Sequence, residues 1–145
     1  MVVDVLENEP INQEEAKTLF DILIKSCSQF KEKHAFIYTI GDEEFQVSYG
    51  KLFEDVLVLS KAFKARGVTA GCKVMVLSDN RYAWIVTDLA IMSLGAVSVP
   101  RGSDTPTQEL EFIIEDSEST FLVIESDRLL EVHEEYVKDC KQLKS

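Results

Sequence analysis

The chain has 145 residues, 46% of them hydrophobic, which suits one compact domain with a modest core, since single domains run to roughly 100–200 residues. Its 26 acidic residues outnumber 15 basic ones for a formal charge of −11, and that balance opposes the counterion-release attraction that draws basic proteins to nucleic acid. No segment offers the roughly 20 consecutive apolar residues of a membrane span, because Asp88 and the basic trio Lys61, Lys64 and Arg66 interrupt the longest helical candidates.

Residues 1–12 are acidic and aperiodic and read as an extended arm, with 13–145 forming a single α/β domain. The start lacks the basic n-region and long apolar h-region of a secretory signal, so the cytosol is the expected address. A first helix follows, with Ala16, Leu19, Phe20, Leu23, Ile24 and Cys27 spaced three and four apart on one face and an end near Phe30. Residues 35–40 and 44–47 are rich in aromatic and β-branched types, and Gly41-Asp42 between them supplies turn chemistry, which predicts a β-hairpin. Ser48 is placed to cap a long second helix with the stripe Tyr49, Leu52, Phe53, Val56, Leu57, Ser60 and Phe63, stopped by Gly67.

Lys73-Val74-Met75-Val76-Leu77 is a short apolar run without alternation, as in a parallel strand covered on both faces. Ser78-Asp79-Asn80 closes it and is positioned to cap a helix from Arg81 to Leu94, and Gly95 precedes a strand from Ala96 to Val99 that Pro100 ends. Thr105-Pro106-Thr107-Gln108 has the form of a helix start, with Thr105 as N-cap, Pro106 at the first position and Gln108 completing a capping box. That helix presents Leu110, Ile113 and Ile114 on one face. A strand over 120–124 leads to a last helix with Leu130, His133, Val137 and Cys140 inward and Glu131, Glu134, Glu135 and Lys138 outward. Strands joined by helices predict a parallel βαβαβ unit with right-handed crossovers, flanked by helices and preceded by a helix and a hairpin.

In an open α/β sheet, ligands gather at the carboxyl ends of the strands, here 78–81, 100–105 and 125–128. In the middle loop Gly102 permits close approach, Ser103 and Thr105 offer hydroxyls, Arg101 a planar cation, and the next helix start favours an anion. The same residues also read as a turn and a cap. Asp79 and Asp104 are candidates for metal binding or acid–base work, yet each lies by a helix start, where a carboxylate is stabilising for dipole reasons alone. Tyr82, Trp84 and Ile85 would line an apolar cavity or simply pack the core.

Cys27, Cys72 and Cys140 are odd in number and contain no C-x-x-C pair, so neither a disulfide framework nor a zinc knuckle is expected. His34 and His133 stand without a second ligand at metal-binding spacing. There is no G-x-S-x-G elbow, no G-x-x-x-x-G-K-[ST] and no G-x-G-x-x-G. No residue is assigned a catalytic, cofactor-binding or metal-binding role.

From Phe45 to Glu125 the chain resembles the N-terminal region of the adenylate-forming (AMP-binding) superfamily. The resemblance rests on Val47-Ser48-Tyr49-Gly50-Lys51-Leu52 at the first long helix and the helix-to-strand turn from Ala65 to Val74. It also rests on Asp79-Asn80-Arg81-Tyr82-Ala83-Trp84, on the stretch from Ile91 to Pro100, and on Glu109 to Ser117. Arg101-Gly102-Ser103-Asp104-Thr105 is most similar to bacterial long-chain acyl-CoA synthetases. The resemblance implies activation of a fatty acid by ATP and Mg²⁺ to an acyl-adenylate, then thioester formation with coenzyme A. The superfamily's Pro-Lys-Gly phosphate loop, aromatic-Thr-Glu segment, ribose-binding Asp and C-terminal Lys have no counterpart here. The chain is therefore expected to be an N-terminal fragment of a longer ligase, inactive alone and binding no cofactor by itself. The alternatives are a stand-alone non-catalytic α/β binding module and a piece of a peptide-synthetase adenylation domain. Peripheral membrane association of the parent and self-association through an exposed sheet edge complete the expectations.

Overall fold

The computed structural model describes residues 16–144, so the arm expected over 1–12 lies outside them. Ten elements follow in order: α1 Leu19–Gln29, β1 His34–Ile40, β2 Glu43–Ser48, α2 Tyr49–Ala65, β3 Lys73–Leu77, α3 Tyr82–Ser93, β4 Val97–Arg101, α4 Thr107–Ser117, β5 Phe121–Ile124 and α5 Asp127–Asp139.

Thr18 and Asp21 start α1 with a reciprocal capping box, which satisfies two backbone donors and leaves Ala16 ahead of the helix rather than on its face. β1 and β2 pair antiparallel with Ile40 opposite Glu43, so Gly41-Asp42 forms a two-residue turn. Gly41 takes φ 61° there, a conformation that costs a side-chain-bearing residue about 1–2 kcal/mol. The Ser48 hydroxyl accepts the Lys51 N–H at 3.1 Å and so caps α2. Along α2, Leu52, Val56 and Ser60 are buried, whereas Leu57 is partly exposed and Leu59 packs against the core in its place.

The hairpin forms its own two-stranded sheet, and the other three strands form a parallel sheet in the order β4-β3-β5. β3 lies in the centre, and Val74 to Leu77 are each at most 1% exposed. Its alternation divides the sheet core. Val74 and Val76 face Ile91 of α3, and Met75 and Leu77 face Leu110, Ile113 and Ile114 of α4. Another cluster joins α1, the hairpin, α2 and α3 through Leu23, Cys27, Val47, Leu52, Val56, Val86 and Ala90. Each buried Val or Leu side chain of these clusters stabilises the fold by about 1.5–3 kcal/mol on full burial.

Four local expectations are corrected. Pro100 lies within β4 opposite Val76 instead of ending the strand. Val97 donates its N–H to Cys72 of the β3 side, and alternation from there turns the Pro100 nitrogen outward. On that outer edge the missing N–H removes no ladder bond. The N-cap of α4 is Pro106 rather than Thr105, and α3 starts after Arg81 with no side-chain cap. Finally, the inward face of α5 is shifted in part: Leu129 and Tyr136 take the places expected for Leu130 and Val137, while His133 and Cys140 stay inward. Leu129, His133, Tyr136 and Cys140 face inward, while Leu130 is 38% exposed.

Candidate functional site

Hydrogen bonds tie the three strand ends together. Glu125, directly after β5, accepts the Ser78 hydroxyl at 3.1 Å and the Asp79 N–H at 2.9 Å on Oε2, and Arg81 lies 3.7 Å from the same oxygen. Its own N–H donates to the Leu77 carbonyl at 3.1 Å, and the Ser78 N–H donates to the Arg101 carbonyl at 3.0 Å. Asp79 closes the ring by accepting both the hydroxyl and the N–H of Ser103 on Oδ1. The Ser103 bonds hold the Asp79 carboxyl below the ordinary carboxylate range, so it is ionised at neutral pH.

This arrangement settles several candidate residues. Asp79 caps no helix; it links β3 to the loop after β4. Thr105 is buried and donates its hydroxyl to the Gly102 carbonyl at 2.8 Å, which closes the middle loop as a turn. Arg101 folds back so that Nη1 donates to the Pro100 carbonyl at 2.7 Å. A Cβ on Gly102 would meet Asp104 Oδ1 at 2.7 Å, so the loop packs its own acidic side chain against the space that Gly102 leaves. Sequence reasoning placed Glu125 in the third strand-end segment but gave it no role of its own, although it joins Ser78, Asp79, Arg81 and Leu77. The available signal was an acidic residue immediately after an apolar strand, in line with the polar end of the central strand.

The three aromatic-face candidates diverge. Tyr82 stacks on Tyr38 with ring centroids 5.7 Å apart and donates its hydroxyl to Asp55 at 2.9 Å. Burial, then that bond, drives its phenol pKa well above the usual value. Ile85 packs into the cluster between α1, α2 and α3. Trp84 is half-buried against the sheet and lines a slot of about 140 Å³ with Val76, Val123 and Glu125. A larger hollow of about 530 Å³ opens between the hairpin and the start of α3, walled by Tyr38, Ile40, Asp79, Asn80, Arg81 and Tyr82.

His133 is buried between α5 and α4, with Nδ1 2.9 Å from the Thr107 hydroxyl, and burial lowers its pKa. The Cys72 thiol lies 3.4 Å from both the hydroxyl and the N–H of Thr69, which lower its pKa, whereas burial raises that of Cys27. All three cysteines are free. Among the described residues, no group of three or more His, Cys, Asp or Glu is gathered to hold a metal ion, and no helix is long and apolar enough to cross a membrane. At the strand ends the Glu125 carboxylate is engaged by Ser78, the Asp79 N–H and Arg81, and that of Asp79 by Ser103. With Glu125 and Asp79 so engaged and no group of three or more such ligands gathered among the described residues, the residues present do not fit a self-sufficient ATP or Mg²⁺ cradle.

Comparison with known proteins agrees with this scaffold. The model of the AMP-binding enzyme family matches residues 23–145. The long-chain-fatty-acid–[acyl-carrier-protein] ligase AEE15 of Arabidopsis thaliana is 30% identical over 116 residues, covering 80% of this chain and 16% of that protein. The long-chain-fatty-acid–CoA ligase FadD15 of Mycobacterium tuberculosis is 38% identical over 61 residues, covering 42% of this chain and 10% of that protein. The solved structure of coronafacic acid ligase from Pectobacterium brasiliense superposes with a TM-score of 0.78 at 18% identity, over 87% of this chain and 24% of that one. The chain thus spans about a sixth of the length of the first curated relative, 16%. With a parallel βαβαβ sheet in place and a family match that runs from Leu23 to the last residue, the chain belongs to the AMP-binding, adenylate-forming enzyme family.

Proposed function

We propose that this chain is the N-terminal lobe of a longer ATP-dependent long-chain fatty-acid ligase. The longer protein forms an acyl-adenylate from a fatty acid and ATP with Mg²⁺, then passes the acyl group to coenzyme A. The observation that carries this reading is the match to long-chain fatty-acid ligases over a small fraction of their length. The hydrogen-bonded ring at the strand ends supports a scaffold role, because its polar groups satisfy one another. Adenylation needs cations and donors aimed at the phosphates where charge develops, and a scaffold supplies the fixed positions from which other segments provide them. The proposed location is the cytosol, with peripheral membrane contact by the longer protein where it meets its lipid substrate.

One relative favours a second acceptor, since AEE15 is named for transfer to acyl-carrier protein. Incubating the full-length gene product with palmitate, ATP and Mg²⁺, with either coenzyme A or acyl-carrier protein, separates the two. Mass spectrometry detecting palmitoyl-CoA supports the primary reading. Acylated carrier protein alone moves the assignment to the second, and neither product counts against both.

A further inference from the structure

α5 covers part of the Met75/Leu77 face of the sheet, where it packs on the cluster of Met75, Leu77, Leu110, Ile113 and Ile114. Its apolar anchors, Leu129, Tyr136 and Cys140, are half-buried, and the one fully buried residue of the helix is His133, 1% exposed. The deepest contact of α5 is thus an ionisable ring rather than an apolar side chain. Nδ1 meets the Thr107 hydroxyl of α4 at 2.9 Å, and Nε2 has no hydrogen-bond partner among the described residues. A neutral ring satisfies Thr107 in either tautomer, because the hydroxyl donates as well as accepts. A protonated ring carries a second N–H and a full charge, and Nε2 then has nothing to donate to, which makes the docked position costly.

The surroundings supply no counterion. On α5, Tyr136 and Cys140 face the same cluster, and the Cys140 thiol lies 3.5 Å from the Tyr136 hydroxyl. On α4, Glu111 and Glu115 act on Tyr136, whereas burial is the cause behind the lowered pKa of His133. From the sheet this face presents Met75, Leu77, Val99, Leu122 and Ile124, and Arg101, opposite Leu77, is folded back onto the Pro100 carbonyl. Beyond α5 the chain is pinned again: Gln142 Nε2 donates to the Ile114 and Ser119 carbonyls at 2.7 and 2.9 Å, and the Lys144 N–H to the Thr120 carbonyl at 2.8 Å. Between β5 and this return, the segment 126–141 forms a unit whose opening leaves the β4-β3-β5 ladder intact.

We infer that α5 is an acid-opened flap: it stays on α4 while the His133 ring is neutral and comes away when the ring takes a proton from solvent, with β3, β4 and β5 still paired. Opening hands the charged ring to water and uncovers Leu110 and Ile114, which are fully buried in the closed form. The flap depends on contacts within the described residues and is independent of the ligase reading.

Hydrogen exchange on the 145-residue chain at pH 7.5 and 5.5 tests it, read as protection factors so that the chemical pH dependence of exchange cancels. The α5 amides within 131–139 are expected to lose about 10-fold in protection over this interval, the change for one proton taken up near 6.5 on opening. At both pH values they exchange faster than the Val76 amide of β3 and respond less to urea, as a local opening does. Equal protection of α5 at the two pH values overturns the inference. So does a protection and urea response shared by α5 and Val76, which makes the opening global. His133→Leu and His133→Gln each remove the titrating ring, and in both the α5 protection is expected to stay level between pH 7.5 and 5.5. A fall of about 10-fold that persists in either variant assigns the effect to another group and overturns the flap.

Discussion

Asp79 and Ser103 lie 24 positions apart and meet through two hydrogen bonds, both accepted by one carboxylate oxygen. That contact ties the end of the central strand to the loop after its neighbour. Because its benefit needs both partners, Asp79→Ala, Ser103→Ala and the double variant form a cycle with a clear expectation. Asp79→Ala removes both bonds and Ser103→Ala only the hydroxyl bond, so the double variant loses little more stability than Asp79→Ala alone in urea unfolding. Additive losses would show that the two residues act separately.

Linkage gives the same pair a pH signature. The folded Asp79 carboxyl titrates below its unfolded value of 3.8, so its contribution is complete above that value and is lost as the pH falls through the folded one. Ser103→Ala removes the larger cause of the shift, the hydroxyl bond, and leaves the backbone N–H bond in place. Its Asp79 carboxyl carbon, followed by NMR, should titrate at a higher pH than in the parent chain; an unchanged midpoint would mean that Ser103 does not set the shift.

His133 acts in the opposite part of the pH scale. Burial lowers the pKa of the folded ring and favours its neutral form, whereas the unfolded chain protonates near 6.5. The unfolded state therefore binds more protons below that pH, and stability falls as the pH drops from 7.5 to 5.5. His133→Leu should flatten this stretch of the urea-midpoint profile. An equal fall in the variant would assign the acid sensitivity to other groups.

The inward face of α4 predicts a contrast in stability. Ile114 is fully buried and Phe112, on the same helix, is 64% exposed. Ile114→Ala should cost about 2–5 kcal/mol and Phe112→Ala within about 0.5 kcal/mol. Similar losses at both positions would mean that the helix is turned differently. Trp84, the only tryptophan, is half-buried, so Trp84→Ala should cost less than the roughly 3 kcal/mol expected at a fully buried site.

The larger features were legible in the sequence because periodicity reports them directly. The unbroken apolar run from Val74 to Leu77 marks a strand covered on both faces, and it is the central one. The hairpin was visible from Gly41-Asp42, and α2 from Ser48 and Gly67. What escaped depends on contacts between distant segments. Thr105 looks like a cap until the Gly102 carbonyl offers its hydroxyl a nearer partner. Pro100 looks like a strand end until β4 proves to be an edge. Leu129 and Leu130 are both apolar, and only the packing of α5 on α4 chooses between them. Glu125 carries no motif; its importance comes from three strand ends meeting at one height.

Fatty-acid-dependent exchange of pyrophosphate into ATP tests the central claim most directly, because it reports adenylate formation before any thiol acceptor is needed. Run with palmitate on this chain and on the full-length gene product, the account predicts exchange by the long protein and none by the 145 residues alone, whose strand-end polar groups are occupied with one another. Exchange by the short chain would contradict the scaffold role, and a folded full-length protein that exchanges with no fatty acid would contradict the ligase assignment.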